Sequence, residues 1–208
     1  MNLLVIGASG RTGREVLAQA LGHGHHITAF VRDPSSLAAL HERVHVVGGD
    51  VTDAAAVAAA VVGQDAVVST IGAKPAGEVH TYSDGTANII RAMTIHGVPR
   101  LVVVSSAGVG GEGEKLPVKY RLLIATPGMR GVYEDMGRME WDVMLSDLDW
   151  TIVRPHRLID GAQRGDYRVA EASVVPKGAE VSRADLAGLL LKCAETNHYS
   201  RKAVAVAY

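Results

Sequence analysis

The segment with the clearest chemical potential is Gly7–Gly13 (GASGRTG), a glycine-containing turn between an apolar run and a helical pattern. Dinucleotide-binding folds place their phosphate turn at this point of the chain. Gly7 would permit the tight turn, Gly10 a close approach of the backbone to a pyrophosphate, and Gly13 close packing of helix on strand. A glycine-rich turn without a ligand is the alternative. The amides expected to point at the anion belong to Ser9, Gly10, Arg11 and Thr12.

The end of the second apolar run, Phe30–Pro34 (FVRDP), should lie beside the adenosine ribose. Arginine recognises a ribose 2′-phosphate, whereas a carboxylate recognises a free 2′-hydroxyl. Arg32 comes first and can flank a 2′-phosphate together with Arg11, so the sequence favours NADPH. Asp33 leaves NADH open, because a shift of one residue would exchange the side chain that faces the ribose. A surface ion pair between Arg32 and Asp33 is a third interpretation.

Three further apolar runs end in residues that suit a nucleotide cleft. Asp50, followed by Val51, can accept a hydrogen bond from an adenine amino group, with a helix cap as the alternative. The small residues of Ile71-Gly72-Ala73 would let the backbone approach the nicotinamide-side ribose, or they form an ordinary strand end. Ser105 and Ser106 follow the fifth run, where a hydroxyl can orient nicotinamide or substrate.

The chain lacks the common proton-transfer pair of such folds, because no tyrosine is followed by lysine four residues later. That lysine would lower the pKa of the tyrosine. An ordinary carbonyl or alcohol dehydrogenase and a nucleotide-sugar epimerase are therefore disfavoured. Ser106, His156 and Arg157 remain as catalytic candidates at strand ends. His156 can donate a proton near neutral pH, with a solvent-facing loop histidine as the alternative, and Ser106 lacks the G-x-S-x-G elbow of a hydrolase.

A histidine cluster, His23-Gly24-His25-His26, invites a comparison with metal sites. It lies in the turn between the first helix and the second strand, away from the expected active face. We therefore expect a solvated turn and no metal. The single cysteine, Cys193, excludes an internal disulfide and a thiolate metal cluster.

Alternating β-branched runs and helical patterns must position these residues. Continuous apolar strands separated by helices predict a doubly wound, parallel, Rossmann-like α/β fold. We expect one domain over residues 1–208, with about 106–180 forming the substrate side. The predicted strands are Asn2–Ile6, Ile27–Val31, Val44–Val47, Asp65–Ile71, Leu101–Ser105, Asp149–Val153 and Ala203–Ala207, with Asp166–Ala170 and Ser173–Val175 as a hairpin or two short strands. The predicted helices are Thr12–Leu21, Leu37–His41, an alanine-rich helix capped by Thr52, Asp84–His96, Arg130–Leu145 and a helix from a Ser182 capping box to Glu195.

The composition narrows the class of protein. The 208 residues carry 21 Lys+Arg against 22 Asp+Glu, and 48% of them are hydrophobic. A net charge of −1 without a basic run argues against nucleic-acid and membrane-surface partners. No apolar stretch is long enough to span a membrane, and no signal peptide is evident. We expect a cytoplasmic monomer whose two tryptophans, Trp141 and Trp150, pack inward.

The sequence resembles the atypical short-chain dehydrogenases/reductases, and most closely the flavin reductase/biliverdin-IXβ reductase family. The resemblance covers nearly the whole chain. Its first motifs are shared with many NAD(P)H-binding proteins, but the combination of these motifs with a short chain and no Tyr-x-x-x-Lys pair is more specific. The segments that carry it are VIGASGRTG at Val5–Gly13, FVRDPSSL at Phe30–Leu37, VVGGDV at Val46–Val51, GQDAVVSTIGA at Gly63–Ala73, SDGTANIIRAM at Ser83–Met93, HGVPRLVVVSSAG at His96–Gly108 and RME at Arg138–Glu140.

The resemblance implies NADPH on the Gly7–Gly13 turn, with Arg32 at the 2′-phosphate and Asp50-Val51 at adenine. It also implies that Ile71–Ala73 follows the nicotinamide half and that Ser106 lies beside the nicotinamide. The family histidine after the sixth strand aligns with Arg157, one place from His156, and a second aligns near Met136. These differences from the family pattern affect the expected substrate more than the expected cofactor or fold.

The resemblance therefore implies a reductase that passes hydride from NADPH to a planar small molecule such as a flavin, an open tetrapyrrole or a quinone. Such conjugated acceptors delocalise the added electrons and need less help from a general acid. The main alternative is a regulator that senses NADP(H) and binds a protein partner without turnover, which exposed apolar residues near Leu116–Ile124 would favour. Reduction or isomerisation of a specialised metabolite is a third possibility.

Overall fold

The computed structural model of the protein describes residues 1–40, 42–72, 80–110 and 118–208. Two sheets occur in these ranges, one of eight strands and one of two. The strands are β1 (Asn2–Ile6), β2 (His26–Val31), β3 (His45–Gly48), β4 (Ala66–Ser69), β5 (Arg100–Val104), β6 (Asp149–Pro155), β7 (Arg157–Ile159), β8 (Arg168–Ala170), β9 (Glu180–Ser182) and β10 (Lys202–Ala207). The order in the large sheet is β3-β2-β1-β4-β5-β6-β10-β8, and all neighbours are parallel except β8 against β10.

Helices cover both faces of the large sheet, which explains why its central strands are apolar on both sides. One core contains Val16 and Leu17 of the first helix with Leu190 of the last, and the other contains Ile89 and Met139. The helices are α1 (Arg11–Gly22), α2 (Ala54–Val61), α3 (Thr81–His96), α4 (Val118–Ile124), α5 (Pro127–Leu145) and α6 (Arg183–Glu195), with a 3-10 helix at Pro34–Leu40.

This arrangement confirms the predicted doubly wound α/β fold and puts its topological switch point at β1. The strands on either side of β1 are β2 and β4, so the chain changes direction there. Ligands of open α/β sheets bind outside the carboxyl ends of the strands at such a point. Ser182 caps α6 as predicted, because its side chain accepts a hydrogen bond from the Asp185 amide, but the second bond of a capping box is replaced, since the Ser182 amide donates to the Tyr208 hydroxyl at 3.1 Å.

Several local predictions are wrong. Asp53, not Thr52 or Asp50, caps α2, since its carboxylate accepts hydrogen bonds from two amides of the first turn. Ser173–Val175 is not a strand, because its backbone is bonded to Gly108 and to the His156 ring instead. Trp150 is buried as expected, but Trp141 is 64% exposed on α5.

The sequence also gave no indication of three short elements: α4, β7 and β9. The two strands pair with each other in a separate two-stranded sheet, and each is three residues long. Within the described ranges, no helix combines the length and the apolar composition needed to cross a bilayer.

Candidate nucleotide-binding and catalytic cleft

A cleft of about 1440 Å³ runs along the carboxyl ends of the parallel strands. Pockets for single small ligands usually measure roughly 300–1,000 Å³, so this volume suits a dinucleotide together with a second molecule. Most of the residues selected from the sequence meet here: Gly7, Ser9, Gly10, Arg11, Thr12, Arg32, Asp50, Val51, Ile71, Gly72, Ser105, Ser106, His156 and Arg157 line the cleft. Gly13 packs beneath the lining, and Ala73 lies outside the described residues.

Two glycines let α1 begin close to the end of β1. Gly7 has φ +77°, and a Cβ atom there would lie 2.7 Å from the Thr70 carbonyl oxygen. A Cβ atom on Gly13 would lie 2.4 Å from the Gly7 carbonyl oxygen. A side chain at Gly7 would therefore collide with the backbone that follows β4, whereas one at Gly13 would push α1 away from the turn, so the cradle depends on both glycines.

The amino terminus of α1 fits an anion such as a pyrophosphate. Gly10 is its N-cap, no side chain in the described part of the chain caps it, and its first turn holds no acidic residue. Helix amino termini carry partial positive charge and unsatisfied amides. Arg14 stabilises the turn through two hydrogen bonds. Its Nε donates to the Ser9 carbonyl at 3.0 Å, and its Nη2 donates to the Ser36 carbonyl at 2.6 Å.

The side chains of Arg32 and Asp33, which follow β2, differ in their surroundings. Arg32 lines the cleft. The Asp33 carboxylate instead accepts hydrogen bonds from the Ser35 amide at 3.0 Å and from its hydroxyl at 2.7 Å. Asp50 is bonded in the same way by the residue two positions later. One of its carboxylate oxygens accepts hydrogen bonds from the Thr52 amide at 2.9 Å and from the Thr52 hydroxyl at 2.7 Å. These bonds, with Arg32 nearby, hold the pKa of Asp50 below its usual value.

At the other end, two serines follow β5. The Ser105 side chain is buried, and its Oγ has no hydrogen-bond partner among the described residues. A buried hydroxyl without a partner is costly, so a ligand in the cleft is the natural acceptor or donor for it. The Ser106 Oγ lies 3.0 Å from the hydroxyl oxygen of Tyr133 on α5.

The position of Tyr133 in the cleft could not be predicted from a Tyr-x-x-x-Lys pair, because Gly137 occupies the lysine position. Burial raises the pKa of Tyr133, and burial raises the pKa of the neighbouring Tyr120 to about 12. Both phenols therefore stay protonated at neutral pH. The sequence contains a pattern that indicates this position: Met129, Tyr133 and Met136 have the spacing of one helix face. All three residues line the cleft.

His156 and Arg157 both line the cleft, but the first is buried and the second is exposed and ion-paired. His156 is only 3% exposed, so the solvent-facing alternative is wrong. Its Nε2 accepts a hydrogen bond from the Val175 amide at 2.9 Å, which places the proton of a neutral ring on Nδ1. The Arg157 guanidinium is exposed and forms a 2.6 Å ion pair with Glu180.

Two arginines lie close together beside the glycine turn, of which Arg11 was predicted from the sequence and Arg183 was not. Arg183 of α6 lines the cleft with Arg11. One Asp160 oxygen lies 2.6 Å from Nη1 of Arg183, and the other lies 3.4 Å from Nη1 of Arg11. The carboxylate thus bridges two cations beside the phosphate turn, joining the loop after β7 to the amino termini of α1 and α6.

The glycine cradle, the uncapped helix and the position of the cleft define a dinucleotide-binding α/β protein. Residues 7–197 match the sequence profile of the NAD(P)H-binding family, and the chain belongs to that family. It is 30% identical over 182 residues to the uncharacterised protein YwnB of Bacillus subtilis, a match that covers 84% of this chain and 82% of YwnB.

Solved structures share the whole fold. ChuY, an anaerobillin reductase from Escherichia coli O157:H7, has a TM-score of 0.81 at 24% identity, covering 100% of this chain and 97% of ChuY. The oxidoreductase YlbE from Lactococcus lactis has a TM-score of 0.85 at 18% identity, covering 100% and 90%. At these identities the likeness shows the Rossmann-like fold. Together the matches confirm the resemblance at the level of the family and the fold.

Proposed function

We propose that the protein is an NADPH-dependent reductase that passes hydride to a planar conjugated acceptor such as a flavin, a biliverdin-like tetrapyrrole or a quinone. The observation that carries this proposal is the continuity of the cleft from the glycine turn to an apolar end. That end is lined by Tyr120, Leu123, Met129, Tyr133 and Met136. Apolar and aromatic walls suit a conjugated ring system. The activity of ChuY as an anaerobillin reductase supports the tetrapyrrole among these acceptors.

The preference for NADPH rests on the ribose end. Arg32 lines the cleft, whereas one Asp33 oxygen is held by Ser35. A guanidinium at this position would favour a 2′-phosphate on the ribose. The Gly7–Gly13 turn and the amino terminus of α1 would hold the pyrophosphate, and Ser105 would supply a hydroxyl further along the cleft.

When bound, the dinucleotide would supply the hydride, and the chain itself would supply orientation and a proton. Ser106 would orient the acceptor through its hydroxyl. Tyr133, hydrogen-bonded to Ser106 at 3.0 Å, holds a proton that can pass through the Ser106 hydroxyl to the reduced acceptor. Solvent remains a second proton source. We assign this role to the hydroxyl pair and not to His156 Nε2, because Nε2 already accepts a hydrogen bond from Val175.

The experiment measures NADPH consumption against FMN, riboflavin, biliverdin and a quinone. We expect consumption with at least one acceptor and a loss of roughly tenfold or more in kcat for Ser106→Ala. Ser146→Ala is the matched control, because Ser146 follows the far end of α5 and its hydroxyl donates a local hydrogen bond to the Val143 carbonyl at 2.7 Å. Tight NADPH binding without consumption of any acceptor would refute the reductase proposal.

A regulator that senses NADP(H) and binds a protein partner is the second candidate. It is favoured by the exposure of α4, where Val118 and Leu122 are each 66% exposed. The same helix borders the acceptor end of the cleft through Leu123, so an entrance for an apolar acceptor explains the exposure equally well. A regulator would bind NADPH tightly, consume none of it and be unaffected in binding by Ser106→Ala.

A further inference from the structure

Two histidines and one glutamate converge at the end of the sheet opposite the cleft. Nδ1 of His23 lies 2.6 Å and Nε2 of His25 lies 2.7 Å from the same oxygen of Glu195. The three donor atoms lie within 4.8 Å of one another. The sequence alone could not show this group, since the histidine spacing is local but Glu195 comes 170 residues after His25.

Packed elements, not a loose loop, position the three side chains. α1 ends at Gly22, and the chain then turns through Gly24 at φ +76°, with the His25 amide donating to the Ala20 carbonyl at 3.2 Å. Glu195 is the last residue of α6, which packs against α1 in a common core. Both helix ends are therefore fixed before any ligand arrives, as a preorganised site requires.

We propose that His23, His25 and Glu195 bind a divalent cation of the zinc class and cross-link the carboxyl ends of α1 and α6. Two imidazole nitrogens and one carboxylate oxygen are a donor set that zinc accepts, with water in a fourth position. Among the described residues, the ion pairs of Glu195 go to these two rings alone. A cation would replace the two hydrogens that now lie between the rings and the shared oxygen.

The exposure of the three side chains agrees with an ion site that has one open side. The His25 side chain is 11% exposed and that of Glu195 is 26% exposed, whereas that of His23 is 51% exposed. Zinc lies about 2.0–2.2 Å from nitrogen and oxygen ligands, so the donor atoms must separate slightly to admit it. His23 is free to make that movement on its exposed side. The site is remote from the cleft and does not depend on the proposed reductase activity.

The test titrates untagged, metal-free protein with Zn²⁺ by calorimetry and follows the melting temperature in parallel. We expect one Zn²⁺ per chain and a higher melting temperature with zinc. Glu195→Gln and His23→Ala should each weaken zinc binding about tenfold or more. Mg²⁺ should not bind, because it requires a shell of oxygen ligands.

His26→Ala is the matched control, because this exposed neighbour starts β2 and belongs to the same histidine cluster. It should leave zinc affinity unchanged. The proposal is overturned if the protein takes up no Zn²⁺, if the affinity is the same in Glu195→Gln and His23→Ala as in the original protein, or if only His26→Ala reduces it. Circular dichroism of each variant verifies its fold, and His23→Ala alters an exposed side chain with little risk to folding.

Discussion

At the scale of single residues, the candidate site contains a serine–tyrosine pair without the usual lysine. Ser106 and Tyr133 share a hydrogen bond, and Gly137 occupies the position four residues after the tyrosine. Burial raises the pKa of Tyr133, and the bond to Ser106 offsets only part of that rise. Tyr133 is therefore suited to donate a proton after hydride transfer, not to remove one from an alcohol, which favours reduction over oxidation.

The first prediction at this scale concerns pH. Because the pKa of Tyr133 lies above its ordinary value of 10.0, the phenol keeps its proton through the neutral and mildly alkaline range. The kcat for reduction should show no decrease from loss of this proton until pH rises past about 10. In Tyr133→Phe this alkaline decrease should disappear and kcat should be lower. A decrease at neutral pH that Tyr133→Phe abolishes would contradict the assignment.

The second prediction concerns the choice of cofactor. Arg32→Ala should weaken NADPH binding by about 10- to 100-fold, because a charge-assisted contact to the 2′-phosphate is lost. NADH binding should change little. Titration of both dinucleotides measures the effect, and Arg43→Ala is the control, since Arg43 is exposed and does not line the cleft. Equal losses for NADPH and NADH would show that Arg32 does not face the 2′ position.

At the scale of elements, a buried aspartate on α5 holds α3 and thereby the wall of the cleft. Asp135 accepts hydrogen bonds from the Tyr82 amide at 2.8 Å and from the Ser83 hydroxyl at 2.5 Å. The N-cap residue of α3 is His80, and among the described residues the cap bonds to the first turn come from Asp135. A carboxylate from another helix thus does the capping, and it lies two residues after Tyr133. Capping, packing and the position of the tyrosine are therefore linked.

The prediction at this scale is a stability measurement with a matched control. Asp135→Ala should lower the free energy of unfolding by roughly 2–4 kcal/mol, since it leaves buried donors at the start of α3 unsatisfied. Glu134→Ala, one residue earlier, should have a negligible effect because its ion pair with Arg130 is exposed. Urea denaturation measures both. Similar stability of the two variants would show that Asp135 does not cap α3.

At the scale of the whole molecule, the sequence predicted the parallel strands and the glycine turn better than it predicted the short elements and the side-chain contacts between β5 and α6. β1 to β6 could be predicted because continuous apolar runs depend on burial alone. The glycine turn and Arg32 could be predicted because their spacing relative to those strands is local. The strand predicted at Ser173–Val175 failed, because its backbone bonds to Gly108 and His156 depend on contacts distant in the chain.

The region between β5 and α6 depends on such distant contacts. β7 and β9 form a sheet by pairing with each other across more than 20 residues of chain. Tyr133 shares a hydrogen bond with Ser106, 27 residues earlier. Sequence periodicity reports which face of an element is apolar, but it does not report which side chains meet when elements fold together. The acceptor end of the cleft was for this reason the least predictable part of the site.

The proposed reductase would transfer hydride directly from dinucleotide to acceptor within one cleft. The most direct test mixes equimolar protein and NADPH with excess acceptor in the absence of oxygen, and follows NADPH loss and acceptor reduction in the same single turnover. We expect both to proceed at one rate and in equal amounts, and both to slow together in Ser106→Ala. NADPH that stays bound and unoxidised with every acceptor would contradict the claim.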